Sequence, residues 1–347
     1  MKITIHTEIL REAINHIDKI CGSIEPSVRY VGFSYNRGYL TLYGTDGCLS
    51  VRIPVGKINP TTLSFNASLD ILKAFLQDLS GEISLYSDGN YIVLKARSES
   101  IKLKVDTFKF TSFEDRAEHL GSIHTGSFVN DLDFVSAHLE EGSMIDIFFH
   151  DFLKMAAEHN SIICYTRREM LKFSRTLAWS VPYFSVRHIV KSFKKLPQKE
   201  LHFGMGINHL VFKSKYTYNL CGENISENFT RLDLLENEIK NAFFIASSNL
   251  KMLRHFLRRS MILGKYTHVK IAGKNDKLIF YSSKNGLEYK GIIKTAVKKT
   301  FYTEVPAYFF RSVLNRIGGE NIKIALGDKF LIVTTSQHKR YIFLPLL

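Results

Sequence analysis

The 347-residue sequence has no long apolar run. Its longest, around AFFIA (242–246) and at the end of the chain, fall far short of the roughly 20 apolar residues that span a bilayer. The leading MKITIHTEIL has no extended apolar core of the kind a secretion signal needs, so we expect an intracellular, cytoplasmic protein. Cysteine is scarce. Cys21, Cys48, Cys164 and Cys221 form no CxxC and no short Cys/His spacing, which argues against a zinc framework and leads us to expect four reduced, structural thiols. The Asn-x-Ser/Thr triplets at Asn66, Asn224 and Asn228 carry no meaning without secretion.

Catalytic motifs are missing as well. There is no GxxxxGK[ST], no GxGxxG at a strand–helix junction and no HExxH, and GFSYN (32–36) is not a GxSxG elbow. The thirteen histidines are scattered, with no partner at a useful spacing. Asp46 in GTDG reads as a turn residue between strands rather than a metal ligand. No metal and no cofactor is expected. With 45% apolar and 23% charged residues, the chain is globular and can build a large core.

The stretch EISLYSDGNYIVLK (82–95) is a strand, a tight turn around Asp88-Gly89 and a second strand. ELHFGMGINHLVFK (200–213) and NIKIALGDKFLIVT (321–334) align with it without a gap, at starts about 120 residues apart. Each follows a helical segment: LDILKAFLQDLSG, SVRHIVKSFKKLPQK or PAYFFRSVLNRIGG. Each precedes another strand: SIKLKV, YTYNL or KRYIFLPL. The first half of each third repeats more faintly, as LREAINHIDKI with LKMLRHFLRRS and LTLYGTDGCLSV with LIFYSSKNGLEY. FLKMAAEHN (152–160) looks helical in isolation, but its place in the repeat predicts a strand. A period this long is a domain rather than a solenoid unit. We therefore expect an α+β protein of three similar domains in tandem, 1–116, 117–239 and 240–347, with polar linkers around 112–127 and 222–240.

Acid is absent from three of the helical segments. Residues 185–195 carry Arg187, Lys191, Lys194 and Lys195; 247–259 carry Lys251, Arg254, Arg258 and Arg259; 307–316 carry Arg311 and Arg316. In the second, Leu250, Leu253, Phe256 and Leu257 form one face and the cations another. A face built for solubility mixes signs. Three unmixed helices at equivalent places in a repeat, in a chain of net charge +14, suggest a surface that meets phosphates without reading base sequence. The first third dilutes the pattern, with acids beside Arg11, Lys19 and Lys73, and a helix at 131–141 is acidic (Asp131, Asp133, Glu140, Glu141).

MKITIHTEILREAI, GTDGCLSVRI, PAYFFRSVLNRIGGENIKIAL and the terminal RYIFLPLL resemble the bacterial β sliding clamp, the processivity subunit of DNA polymerase III. The similarity spans essentially the whole chain and is weak from about 117 to 180. It implies the DNA clamp fold: helices lining a ring, antiparallel sheets outside. It implies a non-catalytic, nucleoid-associated homodimer that encircles duplex DNA and tethers polymerase and clamp loader through short Leu/Phe-containing peptides, with no membrane partner. The cationic residues above, with Lys73, would then face DNA. Ile101 and Leu103 match one side of the dimer interface, Ile262 and Leu263 the other. Thr166, Leu171, Arg231, Leu232, Tyr308, Ile342, Leu344, Pro345 and Leu346 match the peptide pocket. The chain departs from the family at TRREML (166–171), where TDGHRL is usual, in CGSIEPS, which lacks an Arg, and in its basic balance. The alternative is a monomeric basic DNA-binding protein of the same fold that closes no ring.

Overall fold

The computed structural model describes residues 2–22, 29–97, 99–110, 113–114, 116–169, 176–196, 199–225, 230–335 and 339–347. The first third runs β1 (Lys2–His6), α1 (Thr7–Cys21), β2 (Tyr30–Asn36), β3 (Tyr39–Thr45), β4 (Leu49–Lys57), β5 (Ser64–Ser68), α2 (Leu69–Leu76), β6 (Glu82–Asp88), β7 (Tyr91–Ala96) and β8 (Glu99–Lys104). The second runs β9 (Glu118–His124), α3 (Thr125–Val135), β10 (Met144–Phe149), β11 (Phe152–His159), β12 (Ile162–Glu169), β13 (Leu177–Pro182), α4 (Tyr183–Phe193), β14 (Glu200–Met205), β15 (Leu210–Lys213) and β16 (Thr217–Leu220). A short β17 (Glu223–Asn224) and α5 (Thr230–Asn241) follow. The last third is β18 (Phe243–Asn249), α6 (Leu250–Ser260), β19 (His268–Lys274), β20 (Lys277–Lys284), β21 (Leu287–Lys294), β22 (Phe301–Pro306), α7 (Ala307–Leu314), β23 (Asn321–Leu326), β24 (Phe330–Thr335) and β25 (Arg340–Pro345).

One unit therefore occurs six times: a lead-in strand, a helix, then three strands. The units associate in pairs by exchanging lead-in strands. Thus β1 joins β6-β7-β8, while β5 joins β2-β3-β4. The same exchange places β9 beside β14, β13 beside β10, β18 beside β23 and β22 beside β19. The repeat is thus finer than the threefold one seen in the sequence, and the fold is α+β with antiparallel sheets.

The chain folds as two compact units, Met1–Thr125 with Lys191–Gly222, and Gly126–Val190 with Glu223–Leu347. In the first, β4 pairs with β16 to give the eight-stranded sheet β5-β2-β3-β4-β16-β15-β14-β9, accompanied by the four-stranded β1-β6-β7-β8. In the second, β12 pairs with β25 within the nine-stranded sheet β17-β13-β10-β11-β12-β25-β24-β23-β18, accompanied by β21-β20-β19-β22.

Local chemistry explains the elements. In α1, Leu10, Ile14, Ile17 and Cys21 recur at helical spacing and are buried; Gly22, at φ 59°, ends the helix and returns its N–H to the Asp18 carbonyl. In α6 the Asn249 side chain accepts from the N–H groups of Lys251 (3.0 Å) and Met252 (3.2 Å), a side-chain N-cap. The β6–β7 hairpin pairs Asp88 with Tyr91, so its two-residue loop is Gly89-Asn90, one position later than Asp88-Gly89. Gly89 has φ 60°, as the first central residue of a type II′ turn must.

Residues 152–159 are a strand, as their place in the repeat predicted. Several other expectations are corrected. The stretch 222–240 is not simply a linker, because α5 packs Leu232 and Leu235 against Phe148, Tyr165 and Phe343. Within 112–127, residues 118–124 form β9 in the eight-stranded sheet. The acidic helix expected at 131–141 is α3, which ends at Val135, and its Asp131 is buried. The thiols are not all free: Cys48 and Cys221 form a disulfide, their Cα atoms 5.0 Å apart. Pairing of β4 with β16 brings together cysteines 173 residues apart, a proximity that spacing in the sequence cannot reveal. Cys21 and Cys164 are free and buried, and burial pushes the Cys21 thiol up to about 11.

Candidate functional site

The cationic helices present their charges as their periodicity requires. On α6, Leu250, Leu253 and Leu257 are buried while Lys251, Arg258 and Arg259 are exposed. Arg254 is half-buried and its guanidinium donates to the Leu314 carbonyl (Nε, 3.0 Å), capping the end of α7 against α6. Arg311 is half-buried on α7. Arg316, just after α7, donates to Asp133 of α3 (3.0 Å) and to the Ser312 carbonyl (3.1 Å), a paired but still exposed cation. On α4, Arg187 is exposed over the Tyr183 ring (5.7 Å) and Lys191 is exposed, as are Lys194 and Lys195 directly after the helix. Lys73 on α2 pairs with Asp18 at 2.7 Å, an acid that also receives Arg29. Burial raises the Asp18 carboxyl, but Lys73 and Arg29 outweigh it and hold it below the usual carboxylate range.

Lys19 of α1 was not singled out as DNA-facing from the sequence. It belongs with the cations of α4: burial, reinforced by the positive charges of Lys195 and Lys191, lowers its ammonium below the ordinary lysine value. An ammonium destabilised by like charges is a place where an anion is welcome. The signal in the sequence was masked by Asp18 next door, whose side chain is engaged by Lys73 and Arg29 instead.

The residues expected to form one peptide pocket divide between the two faces of the nine-stranded sheet. Directly opposed pairs share a face, so Thr166 lies with Arg340, and Cys164 with Ile342. Leu344 and His159 are on that face too, by strand alternation and pairing. There the His159 ring meets Phe309 of α7 (5.2 Å), next to Tyr308. Leu232 instead packs with Ile163, Tyr165 and Phe343 on the opposite face. The neighbouring Arg231 on α5 engages Glu158 (3.0 Å) and Asp146 (3.5 Å). Arg231 and Leu232 therefore do not join Thr166, Ile342 and Leu344 in one groove. The period of two decides this, and it could be applied only once the register was known. Thr166, Ile342 and Leu344 are buried, whereas Tyr308, Pro345 and Leu346 are partly exposed. Leu171 lies outside the described residues, as does most of the CGSIEPS loop.

An aromatic cluster missed in the sequence adjoins Tyr308. Tyr266 stands 5.7 Å from Tyr308 and 5.9 Å from Phe309, and the Lys265 ammonium lies over both tyrosine rings (4.9 and 4.4 Å). The cluster joins residues about 40 apart in sequence, and no local pattern announces it.

Of the expected interface residues, Ile262 is 69% exposed and Leu263 partly so, in a 3₁₀ turn after α6. Ile101 is half-buried on β8, while Leu103 points into the core. Among the described residues both β8 and β21 are edge strands, with one side of each backbone unpaired in its sheet. Among the described residues no group of three or more His, Cys, Asp or Glu could hold a metal ion, and no helix is long and apolar enough to cross a membrane.

The fold these elements define is that of the DNA sliding clamps. Solved structures align over the full chain: the DNA polymerase III β subunit of Pseudomonas aeruginosa (TM-score 0.85, 14% identity, all of both chains) and that of Thermotoga maritima (TM-score 0.79, 14% identity, all of this chain and 99% of the other). A P. aeruginosa sliding clamp bound to griselimycin matches likewise (TM-score 0.83, 14% identity, all of this chain and 99% of the other). No protein-family model and no curated protein matches the sequence.

Proposed function

We propose that this chain is a divergent DNA sliding clamp: a non-catalytic subunit that closes with a second copy into a ring around duplex DNA and tethers a replicative polymerase. The observation that carries the reading is the strand topology. At both internal joints, the last strand of one unit pairs with the last strand of another: β4 with β16, and β12 with β25. Among the described residues the same rule leaves two strands of this rank without a mate, β8 and β21. Pairing β8 of one copy with β21 of the other, twice, satisfies both edges and closes a head-to-tail assembly of six domain-sized parts. We propose the partition into 1–116, 117–239 and 240–347 as the one in keeping with these joints. Exposed Ile262, with Leu263 and Ile101, supplies apolar surface at these edges.

In this ring the cationic faces of α4, α6 and α7, with Lys19 and Lys73, meet the phosphates. Weak, salt-dependent contacts suffice, because the ring retains DNA by enclosure and tight contacts would hinder sliding. Partner peptides with Leu and Phe side chains dock at the Tyr266–Tyr308–Phe309 cluster, where apolar rings and a cation converge, and at the partly exposed Leu346.

Light scattering across a concentration series tests the ring. A dimer mass that survives dilution, is retained on circular DNA and is released on linearisation is expected. Ile262→Asp or Leu263→Asp should yield monomers. A monomer at every concentration in the unaltered protein would refute ring closure and favour the monomeric DNA-binding alternative.

A further inference from the structure

The sheet β21-β20-β19-β22 buries one face: Val269, Ile271, Leu278, Phe280, Ile293, Phe301 and Val305 point into the core. Strand register defines what the other face displays. Across the sheet, Tyr302, Ala272, Ile279 and Ile292 stand directly opposite one another and form an apolar row. Tyr302 is 46% and Ile292 44% exposed. On one side of this row lie Lys274, Lys277 and Lys294, again in direct register. On its other side lie Lys270, Tyr281 and Lys290. Adjacent members of a row are about 4.8 Å apart, and the two cationic rows about 13 Å apart.

Like charges placed directly opposite one another on neighbouring strands destabilise a sheet. Here Lys277 faces a lysine on both sides, and none of the five lysines has an ion-pair partner among the described residues. Three acids lie nearby: Glu288 accepts from the Tyr281 hydroxyl (2.9 Å), Glu304 stands opposite Lys270 but faces His268 (3.7 Å), and Asp276, in the turn between Lys274 and Lys277, accepts from the Val297 N–H (3.2 Å). The fold gains nothing from the Lys274–Lys277–Lys294 row. A polyanion would.

We propose that this face binds single-stranded nucleic acid, with bases against the Tyr302–Ile279–Ile292 row and Tyr281, and phosphates along the flanking lysines. An exposed sheet with aromatic side chains between cationic rows suits unpaired bases, whose faces are open to stacking, better than a duplex, which hides them. The site lies on a sheet and not on the cationic helices, and it does not depend on ring closure.

Fluorescence anisotropy with labelled (dT)15 and a 15-base-pair duplex tests it on the full chain. The single strand should bind more tightly. Lys274→Glu/Lys277→Glu/Lys294→Glu should lower (dT)15 affinity more than tenfold and flatten its log–log salt dependence by about 2. Tyr302→Ala should lower it about fivefold or more, and Tyr302→Phe should restore it. Unchanged melting by circular dichroism establishes that each variant is folded. Wild-type affinity in the lysine variant overturns the site. Loss in the lysine variant with none in Tyr302→Ala, or equal binding of duplex and single strand, overturns the assignment to single strands.

Discussion

Replacing Asp131 with Ala should destabilise the second compact unit far more than a helix-surface substitution would. The Asp131 side chain is 2% exposed and lies between two guanidiniums. It accepts from Arg168 (Nε 2.5 Å, Nη2 3.1 Å) and from Arg340 (Nε 3.0 Å, Nη2 2.8 Å). These bonds fasten α3 to β12 and β25. Without the carboxylate, Arg168 can turn to water, since a third of its side chain is exposed. Arg340, at 8%, cannot, and keeps the Arg316 carbonyl (2.7 Å) and the face of the Phe134 ring (5.5 Å), neither of which carries a compensating charge. Removing one partner of a buried pair costs about 3–5 kcal/mol, and Arg168's escape places this case near the lower half of that range. With a urea slope of about 2.5 kcal/mol per M, the transition of this unit should move down by about 1.2–1.6 M. Asp131→Leu with Arg340→Met, which removes both charges, should recover much of the loss. A shift below about 0.4 M for Asp131→Ala would refute the claim that Arg340's charge depends on this carboxylate.

Burial holds the imidazoles of His16 and His138 down to about 4, so both are neutral in the folded protein. The unfolded chain takes up these protons first, so stability is full above pH 6.5 and declines as pH falls toward 4. At pH 5 each histidine accounts for about 2 kcal/mol of the loss. Urea midpoints at pH 7.5 and 5 measure this, and His16→Gln should reduce the difference; an undiminished difference refutes the role of His16. Alkylation of the denatured protein should label two thiols without reductant and four with it, and labelling of all four without reductant would contradict the Cys48–Cys221 bond. Deleting Leu346 and Leu347 leaves β25 intact and should abolish stimulation of a partner polymerase while preserving the oligomer. Full stimulation by the truncated chain removes these residues from the peptide surface. A cut at residue 342 is unsuitable for this purpose, because it removes Ile342, Phe343 and Leu344 from the core.

Much was legible in the sequence because local periodicity carries it. The three hairpins align on turn residues and period-two apolar positions, and the amphipathic pattern of Leu250, Leu253 and Leu257 separates the buried face of α6 from its cations. The repeat even overrode a misleading local propensity at 152–159, since a strand there completes a unit that recurs elsewhere. The residue types thus determined α+β units in series, a basic helical surface and, through the ends of the chain, a resemblance to one family.

Pairing across long separations was decided by the tertiary structure alone. Strand exchange shows six units among the described residues, and the joints β4–β16 and β12–β25 single out β8 and β21 as the strands of the same rank left at sheet edges there. Register sends Leu232 and Ile342 to opposite faces, brings Cys48 to Cys221, buries Asp131 between two arginines and lines up Lys274, Lys277 and Lys294. A periodic pattern fixes which side of its own strand a residue occupies. Which distant strand lies beside it depends on the free energy of the whole packed sheet, and no local stretch of sequence encodes that.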